Sequence, residues 1–270
     1  MTSLNTLLSN LNKPFTRAQQ KRITDSKVVV AGVGGVGGVE AAVLAGLKVG
    51  EMTIFDPGIF DEPDMNRQFG ARVSTLGENK ATATAGFLHR INPDMKLNVL
   101  DYAPATAEEL DQELSGASVA IDAIDYMGFD YKALFAQAVR RAGIYNFTAP
   151  ISGLATAIFI LDPRGMTLEE LYEAPEDQSL WSDHKLPLHR LLGDRLFGHL
   201  VTDMIQGRRD YLSNCAGIAT FNGGLVALEI ALLLAGIRSP AKLVCAPDAV
   251  FANLLSRECG TYNLVEGPRS

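Results

Sequence analysis

A doubly wound, mostly parallel α/β sheet is the fold class this sequence predicts, and two observations predict it. Between residues 27 and 150, short apolar runs alternate four times with segments of helical period, the pattern of parallel strands joined by helical crossovers. A glycine cluster, Gly32, Gly34, Gly35, Gly37 and Gly38, stands between the first run and the first helical segment, where a strand must turn tightly into a helix.

Residues 27–31, with three successive β-branched valines, read as a strand, and the alanine-rich stretch 39–47 reads as a helix. The second strand, 51–55, ends at the turn signal Asp56-Pro57-Gly58, which closes a βαβ unit of about 30 residues. Apolar positions recur at helical spacing over 79–91, and 97–100 is the next strand. A helix over 107–114 leads to a buried strand over 118–123, where Asp122 and Asp125 end the apolar run. Residues 131–142 form another helix and 144–147 another strand.

Beyond residue 150 the pattern changes. Residues 155–161 read as a strand, Asp162-Pro163-Arg164-Gly165 as a turn, and 225–236 as an apolar helix. The stretch 169–207 is charged and irregular, holds Trp181, His184, His189 and His199, and reads as a long crossover-like excursion over the surface. The predicted layout is a lead-in over 1–26, a nucleotide-binding part of Rossmann type over 27–150, and an extended C-terminal part of the same domain over 151–270 for substrate recognition and dimerisation.

With 47% apolar residues in 270, the chain can bury a large core. A net charge of -7 argues against nucleic acid as the main partner, because phosphate backbones require a dense basic surface. Residues 1–12 have neither a basic start nor a long apolar core, and the apolar run 223–237 is interrupted by Glu229 and short for a bilayer. A cytoplasmic protein without a membrane segment is therefore expected. Cys215, Cys245 and Cys259 form no C-x-x-C pair, so no structural zinc is expected.

The loop Gly32-Val33-Gly34-Gly35-Val36-Gly37 can bring backbone N–H groups to a phosphate at a helix N-terminus, although alone it also suits a purely structural tight turn. Asp56, at the end of the second strand, is placed to accept ribose hydroxyls or to cap its own turn. A NAD-dependent oxidoreductase explains these residues equally well. Asn66-Arg67-Gln68-Phe69 and Lys80 separate the two readings, since a triphosphate needs cations at its site while a hydride donor does not; solvated surface charge is the plainer alternative. Asp125 follows the fourth strand and is placed to hold Mg²⁺ between phosphate oxygens, whereas Asp122 reads as a turn cap. Cys215 reads as a small buried residue and the three histidines as solvated or capping groups.

This order of motifs resembles the ThiF, MoeB and HesA family, relatives of the ubiquitin-activating enzymes. The resemblance runs through the glycine loop, Asp56, Asn66-Arg67-Gln68-Phe69, Lys80 and the Asp122 to Asp125 block, and on to Asn214-Cys215-Ala216-Gly217 and Gly223-Gly224-Leu225. It implies an ATP-dependent adenylyltransferase that activates the C-terminal carboxylate of a small ubiquitin-like or sulfur-carrier protein, or of a peptide, as an acyl-adenylate. A homodimer is implied as well. By the same resemblance Asp56 binds ribose, Asn66, Arg67 and Lys80 contact the phosphates, Asp125 binds Mg²⁺, and Arg17 or Arg22 is the arginine offered to a partner subunit. Cys215 aligns with a cysteine that in some relatives forms a thioester or persulfide-type bond. The chain departs from the family pattern in lacking paired zinc cysteines, in Gly38 for a frequent Ser, and in Pro63 and Asp64 for the usual Ser and Asn. Within the same fold, a dehydratase that activates a carboxylate of a small molecule or modified tRNA is the other reading.

Overall fold

Strands buried on both faces are unbroken apolar runs, and β1 (Lys27–Ala31) is buried from Val28 onward. The computed structural model describes residues 14–125, 128–184, 203, 206, 208 and 214–264. Within them, β1, β2 (Glu51–Phe55), β3 (Lys96–Leu100), β4 (Val119–Asp122) and β5 (Tyr145–Thr148) pair in parallel. The order β3-β2-β1-β4-β5 reverses direction between β1 and β4, which is the switch point where α/β sheets open a crevice at their carboxyl edge.

The helices between these strands follow local signals. Helix α1 (Arg17–Thr24) has a Thr16 and Gln19 capping box, so part of the expected polar lead-in is helical. Helix α2 (Gly37–Gly46) follows the glycine loop. Helix α3 (Lys80–Ile91) starts on its N-cap Asn79, and α4 (Ala107–Leu114) on a Thr106 and Glu109 capping box. Helix α5 (Phe129–Arg141) buries Phe135, Ala138 and Val139 against one face of the sheet, while α2 packs on the other with Leu44 and Ala45.

The sheet then continues antiparallel. A two-residue strand β6 (Ile151–Ser152) turns into β7 (Ala155–Leu161), which is buried throughout and pairs with β5. Strands β8 (Asp248–Asn253) and β9 (Glu258–Asn263) extend that edge and were not expected from the sequence. Their burial is partial and irregular, so neither carries the alternation that marks a strand. After β7 the chain forms the four-residue helix α6 (Leu168–Leu171) and a 3₁₀ turn (Gln178–Asp183); most of the expected excursion, with His189 and His199, lies outside the described residues.

Helix α7 (Ala216–Leu234) begins nine residues before the expected 225, because Asn222, Gly223 and Gly224 sit inside it. Gly223 is needed there: a Cβ would stand 2.5 Å from a Val39 methyl of α2, so the glycine lets the two helices touch. At 19 residues α7 is long and apolar enough to cross a bilayer by those measures, which corrects the expectation drawn from 223–237. It is seated in the fold, with Val226, Ala227, Ile230 and Ala231 in the core and the helix packed on α2 and β7. Glu229 is accommodated by a two-pronged ion pair with Arg238 at 2.8 and 2.9 Å.

Candidate active site

The register of the sheet sets the site. Ala31 pairs with Phe55 on one side and with Asp122 on the other, so Gly32, Asp56 and Ala123 leave the sheet side by side. Gly32 adopts φ +88°, and a Cβ there would lie 2.6 Å from the Ala123 carbonyl oxygen. A Cβ on Gly37 would lie 2.0 Å from the Gly32 carbonyl oxygen, so the turn closes only with glycine at both positions.

Asp56 is fixed from two sides. The Val33 N–H donates to Oδ2 at 2.9 Å and the Gly58 N–H to Oδ1 at 2.8 Å. It therefore does cap its own turn, and each oxygen keeps a lone pair for a ligand hydroxyl. Asn79 ties this corner together: its Nδ2 donates to the carbonyls of Asp56, Gly58 and Asp101, while its Oδ1 caps α3.

Lys80, the first residue of α3, is brought to the same corner. Its backbone N–H donates to the Gly58 carbonyl at 2.8 Å, and its side chain passes 3.2 Å from where a Gly58 Cβ would stand. The ammonium lies 3.0 Å from Asp64 Oδ2 and 5.6 Å from the centre of the Phe60 ring. Arg67 ends the 3₁₀ turn Glu62–Asn66 and lies over the glycine loop, with Nε 3.2 Å from where a Gly35 Cβ would stand. Asn66 Oδ1 accepts from Arg67 Nη1 at 2.9 Å, which orients the guanidinium.

The glycine loop, Asp56, Asn66, Arg67 and Lys80 thus come together as the motif order requires. Asp125 is exposed on the loop after β4, whose Ala123 packs on Gly32 and Gly37. Among the described residues no group of three or more His, Cys, Asp or Glu side chains forms a metal cluster. A lone exposed carboxylate two residues past Ala123 would suit Mg²⁺ held chiefly by a ligand's oxygens and water, and does not fit a cage built by the protein alone.

Three roles were not legible in advance. Asp64, buried, accepts from Lys80, from Gln68 Nε2 and from the Asp61 N–H at 3.3 Å, and its Oδ1 lies 3.9 Å from Arg67 Nη2. Because a carboxylate only accepts, Gln68 must turn its Nε2 to Asp64; its buried Oε1 then has no partner and sits 3.3 Å from where a Gly34 Cβ would stand. Lys132 is buried in α5 and donates to Asp122 Oδ1 at 2.7 Å, the Ile124 carbonyl at 3.2 Å and Thr148 Oγ1 at 3.3 Å. Asp122 caps its turn as expected, through the Ile124 N–H at 3.2 Å, and is also half of this ion pair. A lysine inside an apolar helical run, ten residues after an Asp that ends a strand, is the signal that could have found it.

Beneath the loop, Glu40 of α2 is buried with Oε2 unpartnered. Burial pushes its carboxyl up to about 8, with help from the charge of Asp122 and opposition from Lys132. Asp122 is raised by burial too, against the pull of Lys132. The folded protein therefore binds more protons than the unfolded chain between pH 4.5 and about 8, so the Glu40 contribution to stability is full below 4.5 and is lost as pH rises through 8. Denaturant unfolding against pH checks this: Glu40→Gln is expected to match the stability of the parent near pH 4.5 and to exceed it above pH 8, by on the order of 5 kcal/mol.

Other expectations are corrected. Cys215 is exposed, at the N-cap of α7, and not buried. His184 caps the 3₁₀ turn as expected, its backbone N–H donating to the Trp181 carbonyl at 3.1 Å, and its half-buried ring also lies edge-on to Phe129 at 4.9 Å with Nε2 2.9 Å from the Tyr172 carbonyl. Arg22 reaches the Ala235 carbonyl at 3.4 Å, inside its own chain, while Arg17 is exposed.

A switch-point crevice with a glycine loop, a strand-end carboxylate and two adjacent cations defines a Rossmann-type α/β protein of the kind built around a nucleotide. The sequence profile of the ThiF family matches residues 7–255, and the chain belongs to that family. The SAMP-activating enzyme E1 of Haloferax volcanii is 29% identical over 158 residues, 58% of this chain and 57% of that protein. The sulfur carrier protein ThiS adenylyltransferase of Escherichia coli is 26% identical over 222 residues, 82% of this chain and 77% of that protein. The chain thus spans little more than half of the first of these relatives. Among solved structures, PaaA superposes with a TM-score of 0.67 at 16% identity, covering 92% of this chain and 66% of that one. Escherichia coli MccB with ATP gives 0.68 at 14% identity with the same coverage. At such identity these structures establish the fold alone.

Proposed function

We propose that the chain is an ATP-dependent adenylyltransferase that activates the C-terminal carboxylate of a small ubiquitin-like or sulfur-carrier protein, or of a peptide, as an acyl-adenylate. The observation that carries this reading is that Arg67, over the glycine loop, and Lys80, at the Asp56–Gly58 turn, converge on the same carboxylate of Asp64. Named relatives support it: one activates SAMP, another adenylylates ThiS, and MccB has been solved with ATP and with MccA.

In this reading Asp56 holds the ribose through its free lone pairs, Asn66 and Arg67 hold phosphate oxygens over Gly34 and Gly35, and Lys80 reaches them from the start of α3. Gly32 and Gly37 shape the turn that admits them. A substrate carboxylate oxygen attacks the α-phosphorus, the bond from that phosphorus to the bridging oxygen breaks, and pyrophosphate leaves with the electron pair. No enzymic nucleophile is needed, so the chain supplies positioning and neutralisation of charge on the leaving pyrophosphate. Mg²⁺ at Asp125, when bound, would add to that neutralisation. A cytoplasmic homodimer completes the proposal.

Exchange of labelled pyrophosphate into ATP, run with peptides that present candidate carrier tails, tests the reading. Exchange that depends on a free C-terminal carboxylate supports it. Absence of exchange with every tail, together with absence of ATP binding, removes it.

A further inference from the structure

A buried carboxylate beside cations offered to a triphosphate opposes the binding of any polyanion, and Asp64 is such a carboxylate. It is held independently of Lys80, by Gln68 Nε2, by the Asp61 N–H and by its place in the 3₁₀ turn. Among the described residues the Lys80 ammonium has no comparable second anchor, its other close neighbour being the face of the Phe60 ring. The ammonium can therefore leave Asp64 without disturbing the carboxylate.

We propose that Asp64 is a positioning residue that holds Lys80 beside the Asp56–Gly58 turn and Arg67 over the glycine loop before a nucleotide arrives, turns Gln68 Oε1 toward Gly34, and cedes Lys80 to the phosphates of the arriving nucleotide. The proposal rests on the reading of Lys80 and Arg67 as phosphate ligands and deepens it. With aspartate at 64, Lys80 and Arg67 face the phosphates with a fixed carboxylate between them; with asparagine that carboxylate is gone and the two cations are opposed less. Asp64 thereby trades triphosphate affinity for a set of cations already in place before the ligand arrives.

Binding of ATP and of adenosine to the full chain, measured by calorimetry for the parent and for Asp64→Asn, tests this. The asparagine keeps an oxygen acceptor for the Asp61 N–H but lacks the charge. Asp64→Asn is expected to tighten ATP about tenfold while leaving adenosine within about twofold, because only the phosphates feel the removed charge. In pyrophosphate exchange KM for ATP and kcat are expected to fall together, and Asp64→Glu to restore the parent ratio of ATP to adenosine affinity. If Asp64→Asn does not yield folded protein, Asp64→Ser carries the same comparison. A ratio unchanged by loss of the charge, with ATP still bound by the parent, overturns the role of Asp64 and leaves the phosphate site standing. A parent that binds no ATP overturns both.

Discussion

Replacing Lys80 by glutamine is expected to lower carboxylate-dependent pyrophosphate exchange by about 10²- to 10³-fold, the usual cost of removing one preorganised group that stabilises developing charge. Lys80 is the one cation that reaches the corner from α3, and its backbone is pinned to Gly58, so its loss leaves the leaving pyrophosphate with Arg67 alone on that side. Stability should change little. The ammonium bridges Asp64 and the Phe60 ring near the surface of the crevice, and Asp64 keeps its other donors when the charge is gone. Exchange rate and melting temperature, measured on the same preparation, separate this from misfolding: a loss of both together would contradict the placement of Lys80 at the phosphates.

The largest expected effect on stability belongs to Lys132→Met. Removing one member of a buried ion pair strands the other, here Asp122, at a typical cost of about 3–5 kcal/mol. Glu40 compounds the loss, because its carboxyl already shares the same buried region without a hydrogen-bond partner on Oε2. The change also frees the Ile124 carbonyl, so the loop that carries Asp125 loses its clamp. Denaturant unfolding at pH 7 checks the prediction. Asp122→Asn paired with Lys132→Met is expected to recover much of the loss, since no uncompensated charge then remains inside.

The parallel half of the fold was legible because buried parallel strands leave an unbroken apolar signature. Strands β1, β2 and β7 and helix α4 fall at their expected bounds, and β3, β4 and β5 within a residue or two. The antiparallel extension was not legible. Strands β8 and β9 are half-exposed, and their pairing is set by tertiary contact with β7. The start of α7 was hidden by Gly223 and Gly224, which weaken a helix locally and are tolerated here because Gly223 meets Val39.

In the site, the glycine loop, Asp56, Arg67 and Lys80 could be read from spacing because each follows a strand end or opens a helix. Asp64, Lys132 and Glu40 could not. Asp64 depends on Lys80, sixteen residues on and in another element, and Glu40 on burial beside Asp122, neither of which local pattern announces; Lys132 left only the faint signal of a lysine in an apolar helix ten residues after a strand-end Asp. Exposure misled in the same way at Cys215, a residue type that is usually buried and here stands exposed at the N-cap position of α7, with no capping bond from its side chain.

The central claim is that one crevice binds a nucleoside triphosphate through Arg67 and Lys80, and titration of the protein with ATP and Mg²⁺ in one cell and NAD in another tests it most directly. The account predicts saturable ATP binding that Lys80→Gln weakens, with no binding of NAD over the same range. NAD binding in place of ATP, or ATP binding that is indifferent to Lys80, would contradict it.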